Sequence, residues 1–161
     1  MANRSYTIRP SERLKPSQRR AIAFLECPED DGINAMLIFE GMDQDTKRMV
    51  MSRFDYWIDG GVNDRWFHGW PNNPKHKDCF VFKWNKGRLH HRFYGFLFHP
   101  MPKTNARFQV CILCSYATKN SQNTDPSELE GARVLRLEQK VAAAIAFAYS
   151  EREEGAKQWP N

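Results

Sequence analysis

The sequence predicts one α+β domain, in which a small, mostly antiparallel sheet is combined with an N-terminal helical hairpin and a long C-terminal helix. The chain has 161 residues, of which 41% are hydrophobic and 13% aromatic, so it is long enough for one core and short for two ordinary domains. Alternating apolar runs predict three successive strands over residues 79–84, 89–98 and 108–116. We expect residues 19–161 to form this domain, behind a flexible basic arm over residues 1–18.

The first elements after the arm are predicted to be a strand and two helices. Residues 20–27 form a short apolar run that ends at Pro28, which is typical of a strand. A short apolar helix over about residues 33–41 follows, and Asp43 begins a second helix that a Gly-Gly pair ends. Together the two helices predict a helical hairpin.

A loop rich in Trp, His, Pro, Asn and Lys is predicted over residues 62–77. Its aromatic side chains lie close in sequence to cationic ones, which is how proteins often hold single-stranded RNA. The loop residues with this character include Trp70, Lys75, His76 and Lys77. The alternative is that the aromatic residues anchor a long loop onto the core.

The second arm of the predicted β-hairpin carries the candidate functional face. Residues 79–84 and 89–98 flank a turn at residues 85–88. Side chains two positions apart in a strand share a face. One face therefore offers two fixed cations, a proton carrier and a phenol, from Arg88, His90, Arg92 and Tyr94. His91 falls on the other, apolar face, where we expect a core histidine.

The histidines are concentrated in one basic stretch. All five lie between residues 65 and 103, together with eight Lys or Arg and one acid, Asp78. Imidazoles transfer protons near neutral pH and Lys or Arg bind phosphate, so this mixture indicates an RNA-binding or RNA-cleaving face. The formal charge of +5 supports a polyanionic partner. A solvated basic surface with incidental histidines is the alternative.

Cysteine usage and the chain ends predict a cytoplasmic protein without a metal or cofactor. The N-terminus lacks the apolar segment of a signal peptide, and no apolar run is long enough to span a bilayer. The spacing of His76 and Cys79 with Cys111 and Cys114 matches a four-ligand zinc site. The last two cysteines, however, lie three apart in a strand-like run and should point to opposite faces. We therefore expect buried thiols.

The last element is predicted to be one helix from Asp125 to about Glu154. Asp125 is suited to the N-cap, Pro126 to the first helical position and Glu128 to the third position after the cap. Apolar residues recur at helical spacing, and the alanine-rich stretch over residues 142–148 has a high helix propensity.

The order of these elements and one short motif resemble a known family. The last predicted strand is followed by residues 119–126, Lys-Asn-Ser-Gln-Asn-Thr-Asp-Pro, and then by a helix that contains Ala132. This segment is similar to the Lys-Lys-Thr-Gln-Lys-Thr-Pro motif of the HigB-like, host-inhibition branch of the RelE/ParE superfamily of bacterial toxins. The resemblance in element order covers roughly residues 20–135.

The resemblance implies a RelE-like fold and the function of a toxin in a type II toxin-antitoxin system. Such a toxin is a metal-independent mRNA endoribonuclease that often acts on ribosome-bound message. Its partners would be mRNA, the ribosome and a cognate antitoxin protein, and the long C-terminal helix could equally support an oligomer. The alternative is a non-catalytic protein of RelE/ParE fold that binds nucleic acid, the ribosome or a topoisomerase.

The predicted site residues follow from the resemblance and from the strand face. RNA cleavage of this type requires a base, cations at the phosphate and an acid. By position, the resemblance assigns phosphate stabilisation to Arg92, a basic role to Lys119, and phosphate binding or proton transfer to Lys83. The strand face adds His90 as base or acid, and Tyr94 or Tyr116 as the group that orients the base or stacks on it. The predicted RNA-binding residues are Arg88, Lys75, Lys77, His76, Trp70, Tyr116 and Gln122.

Overall fold

One mixed sheet of six strands organises the part of the chain that the structure describes. The computed structural model describes residues 3–11, 18–119 and 126–155. The strands are β1 (Thr7–Pro10), β2 (Arg20–Glu26), β3 (Phe67–Gly69), β4 (Cys79–Lys86), β5 (Leu89–Phe98) and β6 (Gln109–Lys119). Their order is β1-β2-β6-β5-β4-β3, and all neighbours are antiparallel except β2 and β6, which are parallel.

Helices α1 (Ala35–Glu40) and α2 (Gln44–Ile58) cover one face of the sheet. The carboxylate of Asp43 accepts a hydrogen bond from the backbone N–H of Thr46 at 2.7 Å, which caps α2 at the residue where the sequence predicts the helix to begin. The chain leaves α2 through Gly60, whose φ of 94° is a left-handed conformation that suits glycine. The apolar residues that α2 buries recur at helical spacing, and they are Val50, Phe54 and Trp57.

Helices α3 (Pro126–Leu137) and α4 (Gln139–Gly155) cover the opposite face. Leu129 and Ala132 of α3 pack against Tyr94, on the β4 and β5 side of the sheet. The residues by which α4 packs over β2 and β6 are Val141, Ile145 and Tyr149. Near the turn that joins β4 to β5, Asn85 is exposed and His90 is half-buried, so this end of the face remains accessible.

The predicted RelE-like fold is wrong in its sheet. Instead of a small sheet, six strands are present, and the sheet is mixed because β2 runs parallel to β6. The additional edge strands β1 and β3 have four and three residues, too few to show an alternating pattern in sequence. The sheet thus extends into residues 1–18, for which a flexible arm is predicted, and Ile8 of β1 is buried there. The helices α1 and α2 follow the first two strands, and α3 and α4 follow the whole sheet.

The prediction of a single long C-terminal helix is also wrong. The segment forms two helices of 12 and 17 residues, and the chain turns at Glu138. The Glu138 carboxylate accepts a hydrogen bond from the backbone N–H of Lys140 at 3.4 Å. No Gly or Pro marks this position in the sequence. Packing decides the break, because α3 lies on β4 and β5 while α4 lies over β1, β2 and β6, and one straight helix cannot follow both parts of a twisted sheet.

Apolar side chains fill the space on both faces of the sheet. In β6 they alternate between the two layers, with Cys111 and Leu113 on the α2 side and Ile112 and Cys114 on the α4 side. The predicted separation of the two cysteines is therefore confirmed. Within the described ranges, no helix is both long enough and apolar enough to cross a membrane.

Candidate functional site

Polar side chains gather on the α3 side of the sheet, where β4, β5 and β6 approach the β4–β5 turn. Lys83 and Arg92 are direct partners on β4 and β5. Two residues nearer the turn, His90 of β5 pairs with Asn85 of β4 on one side and with Lys119 of β6 on the other. We call this surface the basic face, and its residues are Lys83, Asn85, His90, Arg92, Tyr94 and Lys119.

Arg92 lies beneath the basic face rather than on its surface. Its side chain is only 3% exposed, and Nη1 donates a hydrogen bond to the buried Tyr94 hydroxyl at 3.2 Å. A buried guanidinium keeps its charge and acts on its surroundings through a medium of low dielectric constant. Arg92 therefore supplies positive potential to the face from beneath its surface, whereas the resemblance implies a phosphate-stabilising role without giving its depth.

Lys83 is the cation closest in register to Arg92. Its ammonium group donates a hydrogen bond to the backbone carbonyl of Asp64 at 2.5 Å, in the loop before β3. Burial lowers the pKa of Lys83, and the charge of Arg92 lowers it further. Both effects disfavour the charged ammonium, so Lys83 gives up a proton more readily than an exposed lysine.

His90 reaches the basic face from the turn end. Its Nδ1 lies 2.9 Å from the side-chain oxygen of Asn85, an exposed residue, so this hydrogen bond is open to water. The register also places Lys119 opposite His90, on β6. Of the four residues predicted to share one face, His90, Arg92 and Tyr94 do so in β5, whereas Arg88 lies in the exposed turn before this strand.

His68 is a site residue that the sequence analysis missed. It belongs to β3, where it is the partner of Val81, two residues before Lys83 in β4. Its Nδ1 lies 3.1 Å from the carbonyl oxygen of Gly69, and its ring centroid is 4.7 Å from that of Trp70. Burial is the main cause that lowers the pKa of His68, and the charges of Lys83 and Arg92 act in the same direction. In the sequence, His68 is marked only by its place in a His-Gly-Trp segment. A strand of three residues is too short to be told from a loop by its pattern.

A cleft of about 610 Å³ opens at the β3 edge of the sheet, next to the basic face. Two of its lining residues, His68 and Lys83, belong to the cluster around Arg92. Aromatic residues of the buried core on the α2 side of the sheet also line it, and they are Trp57, Phe67 and Phe80, so the cleft reaches around the sheet edge from that side. The cleft therefore combines an apolar wall with a cation and an imidazole, the composition of many small-molecule sites.

Several of the predicted RNA-binding residues contact α3 instead. The carboxylate of Glu130 lies 3.3 Å from the ammonium of Lys75 and 3.4 Å from Nε2 of the buried His76. Arg133 makes two further hydrogen bonds to Glu130. These contacts, that of Arg133 first, hold the pKa of Glu130 at about 2. Lys75 and His76 thus have an intramolecular partner that anchors the loop, which favours the anchoring role over RNA binding for them.

The remaining predicted RNA-binding residues are dispersed. Trp70 is partly buried and packs against the apolar cluster between α3 and the sheet. Arg88 and Lys77 are exposed. Tyr116 lies on the opposite face of the sheet, where its hydroxyl is 2.7 Å from Nδ1 of His91. Because of that position, Tyr116 cannot act together with the basic face. Gln122 and the predicted N-cap Asp125 lie outside the described residues.

The residues considered for zinc have other partners or surroundings. Cys111 and Cys114 lie in different apolar layers, Cys79 donates to the carbonyl of Leu129 at 3.4 Å, and His76 contacts Glu130. In the ranges that the structure describes, no group of three or more His, Cys, Asp or Glu residues could hold a metal ion.

Comparison with known proteins adds no relative. No family model, curated protein sequence or solved structure matches this chain. The resemblance to the RelE/ParE toxins thus rests on the sequence features described above.

Proposed function

We propose that this protein binds single-stranded RNA on its basic face and cleaves it by metal-independent transesterification. The observation that carries the proposal is that Lys83, Arg92 and two imidazoles, those of His68 and His90, lie on one side of the sheet. Cations of this kind attract the phosphate backbone, and imidazoles transfer protons at neutral pH. The proposal concerns activity and does not depend on a RelE-like fold.

The reaction needs three roles that these residues can fill. A base takes the proton of a ribose 2′-hydroxyl, whose oxygen then attacks the adjacent phosphorus. The bond from phosphorus to the 5′ oxygen breaks, and an acid protonates that oxygen. The products are a 2′,3′-cyclic phosphate and a 5′-hydroxyl end. Lys83, Lys119 and the buried charge of Arg92 stabilise the negative charge that develops on the phosphoryl oxygens.

The biological setting of this activity is part of the same proposal. The motif at residues 119–126 supports a toxin of a type II toxin-antitoxin system that acts in the cytoplasm on mRNA. Its partners would be the ribosome and an antitoxin protein. This extension rests on the resemblance in sequence, whereas the RNA chemistry rests on the arrangement of the basic face.

A non-catalytic role in binding nucleic acid or the ribosome is the second candidate. The burial of Arg92 favours it, because a guanidinium that is 3% exposed contacts a phosphate only after local rearrangement. Binding alone needs the exposed cations and not the proton-transfer groups.

An RNA-cleavage assay with the purified full chain tests the proposal. The protein is incubated with mRNA in EDTA, with and without ribosomes, and the ends of the products are mapped. The variants are Lys83→Ala, Lys119→Ala and His90→Gln, and circular dichroism checks that each is folded. Arg48→Ala is the matched control, since Arg48 is 75% exposed on α2, on the other side of the sheet.

We expect cleavage that persists in EDTA, leaves 5′-hydroxyl ends, falls in the basic-face variants and is unchanged in Arg48→Ala. RNA binding without cleavage in either format would reject the catalytic proposal and support the second candidate. If the folded protein neither binds nor cleaves RNA, both candidates are wrong.

A further inference from the structure

We propose that the cleft at the β3 edge holds the nucleotide on the 5′ side of the cleaved bond, and that Nε2 of His68 is the general base that takes its 2′-hydroxyl proton. This inference rests on the proposed function and assigns its substrate subsite and its base. It replaces His90, the base that the sequence suggests, by a residue of β3.

The hydrogen bond of His68 fixes which ring nitrogen can act. A backbone carbonyl only accepts, so Nδ1, 3.1 Å from the Gly69 oxygen, must carry a proton. In the neutral ring the lone pair is then on Nε2. His90 lacks this constraint, because its partner at 2.9 Å is the side-chain amide of Asn85, which can rotate to present a donor instead. His68 is therefore held in the tautomer that a base requires.

The surroundings of His68 keep the ring neutral. Partial burial and the charges of Lys83 and Arg92 lower its pKa, whereas the hydrogen bond to the Gly69 carbonyl and the charge of Asp64 raise it. The lowering effects prevail, so the free base is the main form at neutral pH. A ring that carried a proton already could not accept one from the ribose.

The cleft has the size and lining of a nucleotide site. Its volume of about 610 Å³ is in the ordinary range for small-ligand sites. The aromatic residues Trp57, Phe67 and Phe80, which are 3%, 4% and 7% exposed, form an apolar floor that a base can contact. Arg20 also lines it, held by a hydrogen bond of 2.7 Å from Nη1 to the Trp57 carbonyl and by stacking 4.7 Å from the Trp57 ring.

Two residues that line the same cleft can accept and supply the protons that the reaction moves. Nε2 of His68 takes the 2′-hydroxyl proton while the 2′ oxygen bonds to phosphorus. The bond to the 5′ oxygen breaks, and that oxygen takes a proton from the ammonium of Lys83, whose pKa is lowered by burial and by Arg92. Exchange with water then removes the proton from His68 and returns one to Lys83.

The test uses His68→Asn in the full chain, since the asparagine amide can keep the donor to the Gly69 carbonyl and has no base in the position of Nε2. His99→Asn is the matched control, because the Nδ1 of His99 also lies near a backbone carbonyl, that of Phe108, at 3.2 Å. Two measurements are made on each protein. One is the pH profile of cleavage, and the other is binding of uridine 3′-monophosphate and adenosine 3′-monophosphate followed by NMR of the histidine and tryptophan side chains.

We expect His68→Asn to lower kcat by about 100-fold or more, to lose the acidic limb of the pH profile, and to bind both nucleotides within about threefold of the wild type. His99→Asn should change neither property. Cleavage by a folded His68→Asn protein at the wild-type rate would overturn the assignment of the base, while the proposed function stands. Cleavage by the wild type with no nucleotide-induced shift at His68 or Trp57 would overturn the subsite. Absence of cleavage in the wild type would instead reject the proposed function, and with it the role of His68 as a base.

Discussion

Lys83 and Arg92 are directly opposed on adjacent antiparallel strands, and both side chains lie on the α3 side of the sheet. Like charges in this position destabilise a sheet, because the two side chains of a cross-strand pair approach each other closely. Burial adds to this cost, since Arg92 is 3% exposed and Lys83 is half-buried. An anionic ligand at the basic face would relieve the repulsion, which is why we connect this pair with RNA.

We expect Lys83 to lose its proton at a lower pH than the other lysines. Burial is the first cause and Arg92 the second, so Arg92→Met should raise the pKa of Lys83 without restoring its ordinary value. Because the folded pKa lies below the unfolded one, protonated Lys83 opposes folding at neutral pH. Stability should therefore recover as the pH rises through the folded pKa. NMR of reductively ¹³C-methylated lysines measures the titration.

Arg88→Met serves as the control for the Lys83 titration, since Arg88 lies in the exposed turn between β4 and β5. It should leave the Lys83 titration unchanged. A Lys83 that titrates together with the exposed lysines in the wild type would contradict the proposed electrostatic effect of Arg92.

Gly95→Ala is expected to destabilise the protein strongly. An added Cβ at Gly95 would lie 1.9 Å from the backbone oxygen of Ile112, at the irregularity in the β5–β6 register next to Tyr94. Because the obstacle is backbone, the strands must move apart, and we expect a loss of about 3 kcal/mol in the free energy of unfolding. Urea denaturation measures it.

Gly131→Ala provides the matched comparison for Gly95→Ala. Gly131 lies inside α3 with nothing within 4 Å of an added Cβ. Alanine should stabilise this helix position by about 1 kcal/mol. Similar losses in both variants would contradict the close approach of β5 and β6.

Glu130→Gln should lower stability at neutral pH and have less effect in acid. The folded pKa of this carboxyl, about 2, is below its ordinary value of 4.5, with the hydrogen bonds from Arg133 as the first cause. Its contribution is therefore complete above about pH 4.5 and is lost as the pH falls toward 2. Urea denaturation at pH 7 and pH 3 measures the difference between the two proteins.

Asp45→Asn is the control for Glu130→Gln, because Asp45 is 94% exposed and its ion pair with Arg48 is 3.9 Å long. An equal loss at both pH values for Glu130→Gln would contradict the ionic role.

The thiols of the sheet should be unreactive in the folded protein. Cys111 and Cys114 are buried in separate apolar layers, and burial raises the pKa of both thiols. Burial likewise raises the pKa of Cys79 to about 11. Reaction with Ellman's reagent should therefore be absent for these cysteines at pH 8 and complete in guanidinium chloride. Rapid labelling of Cys111 or Cys114 in the folded protein would show that the core opens at β6.

Binding of single-stranded RNA should depend on salt through the cations of the basic face. Lys119→Ala, which removes a cation opposite His90, should reduce the slope of log Kd against log salt by about 0.7. Fluorescence anisotropy at several salt concentrations measures this slope. Arg48→Ala should leave the slope unchanged, and an equal reduction in the two variants would mean that RNA is bound without preference for the basic face.

Local patterns in the sequence were sufficient for a large part of the sheet. The hairpin of β4 and β5, the sharing of a face by His90, Arg92 and Tyr94, and the opposite orientation of Cys111 and Cys114 all follow from the alternation of side chains along a strand. The Asp43 cap follows from similarly local chemistry.

Tertiary structure decided what depends on residues far apart in the chain. The edge strands β1 and β3 are too short for a pattern, and they become strands only because β2 and β4 present hydrogen-bonding edges to them. The break at Glu138 follows from the twist of the sheet. The approach of His68 to Lys83 depends on the pairing of β3 with β4. The position of Tyr116 on the opposite side depends on the register of β6.

The sequence by itself thus determined which side chains alternate within a strand and where several helices begin, since those properties depend on neighbours a few residues apart. Only the tertiary structure decided which strands lie side by side, and therefore that Lys83, Arg92 and His68 form one cluster. The pairing of strands depends on the free energy of burying the whole apolar core. Residues far apart in the chain contribute to that free energy, so no short segment of the sequence reveals the pairing.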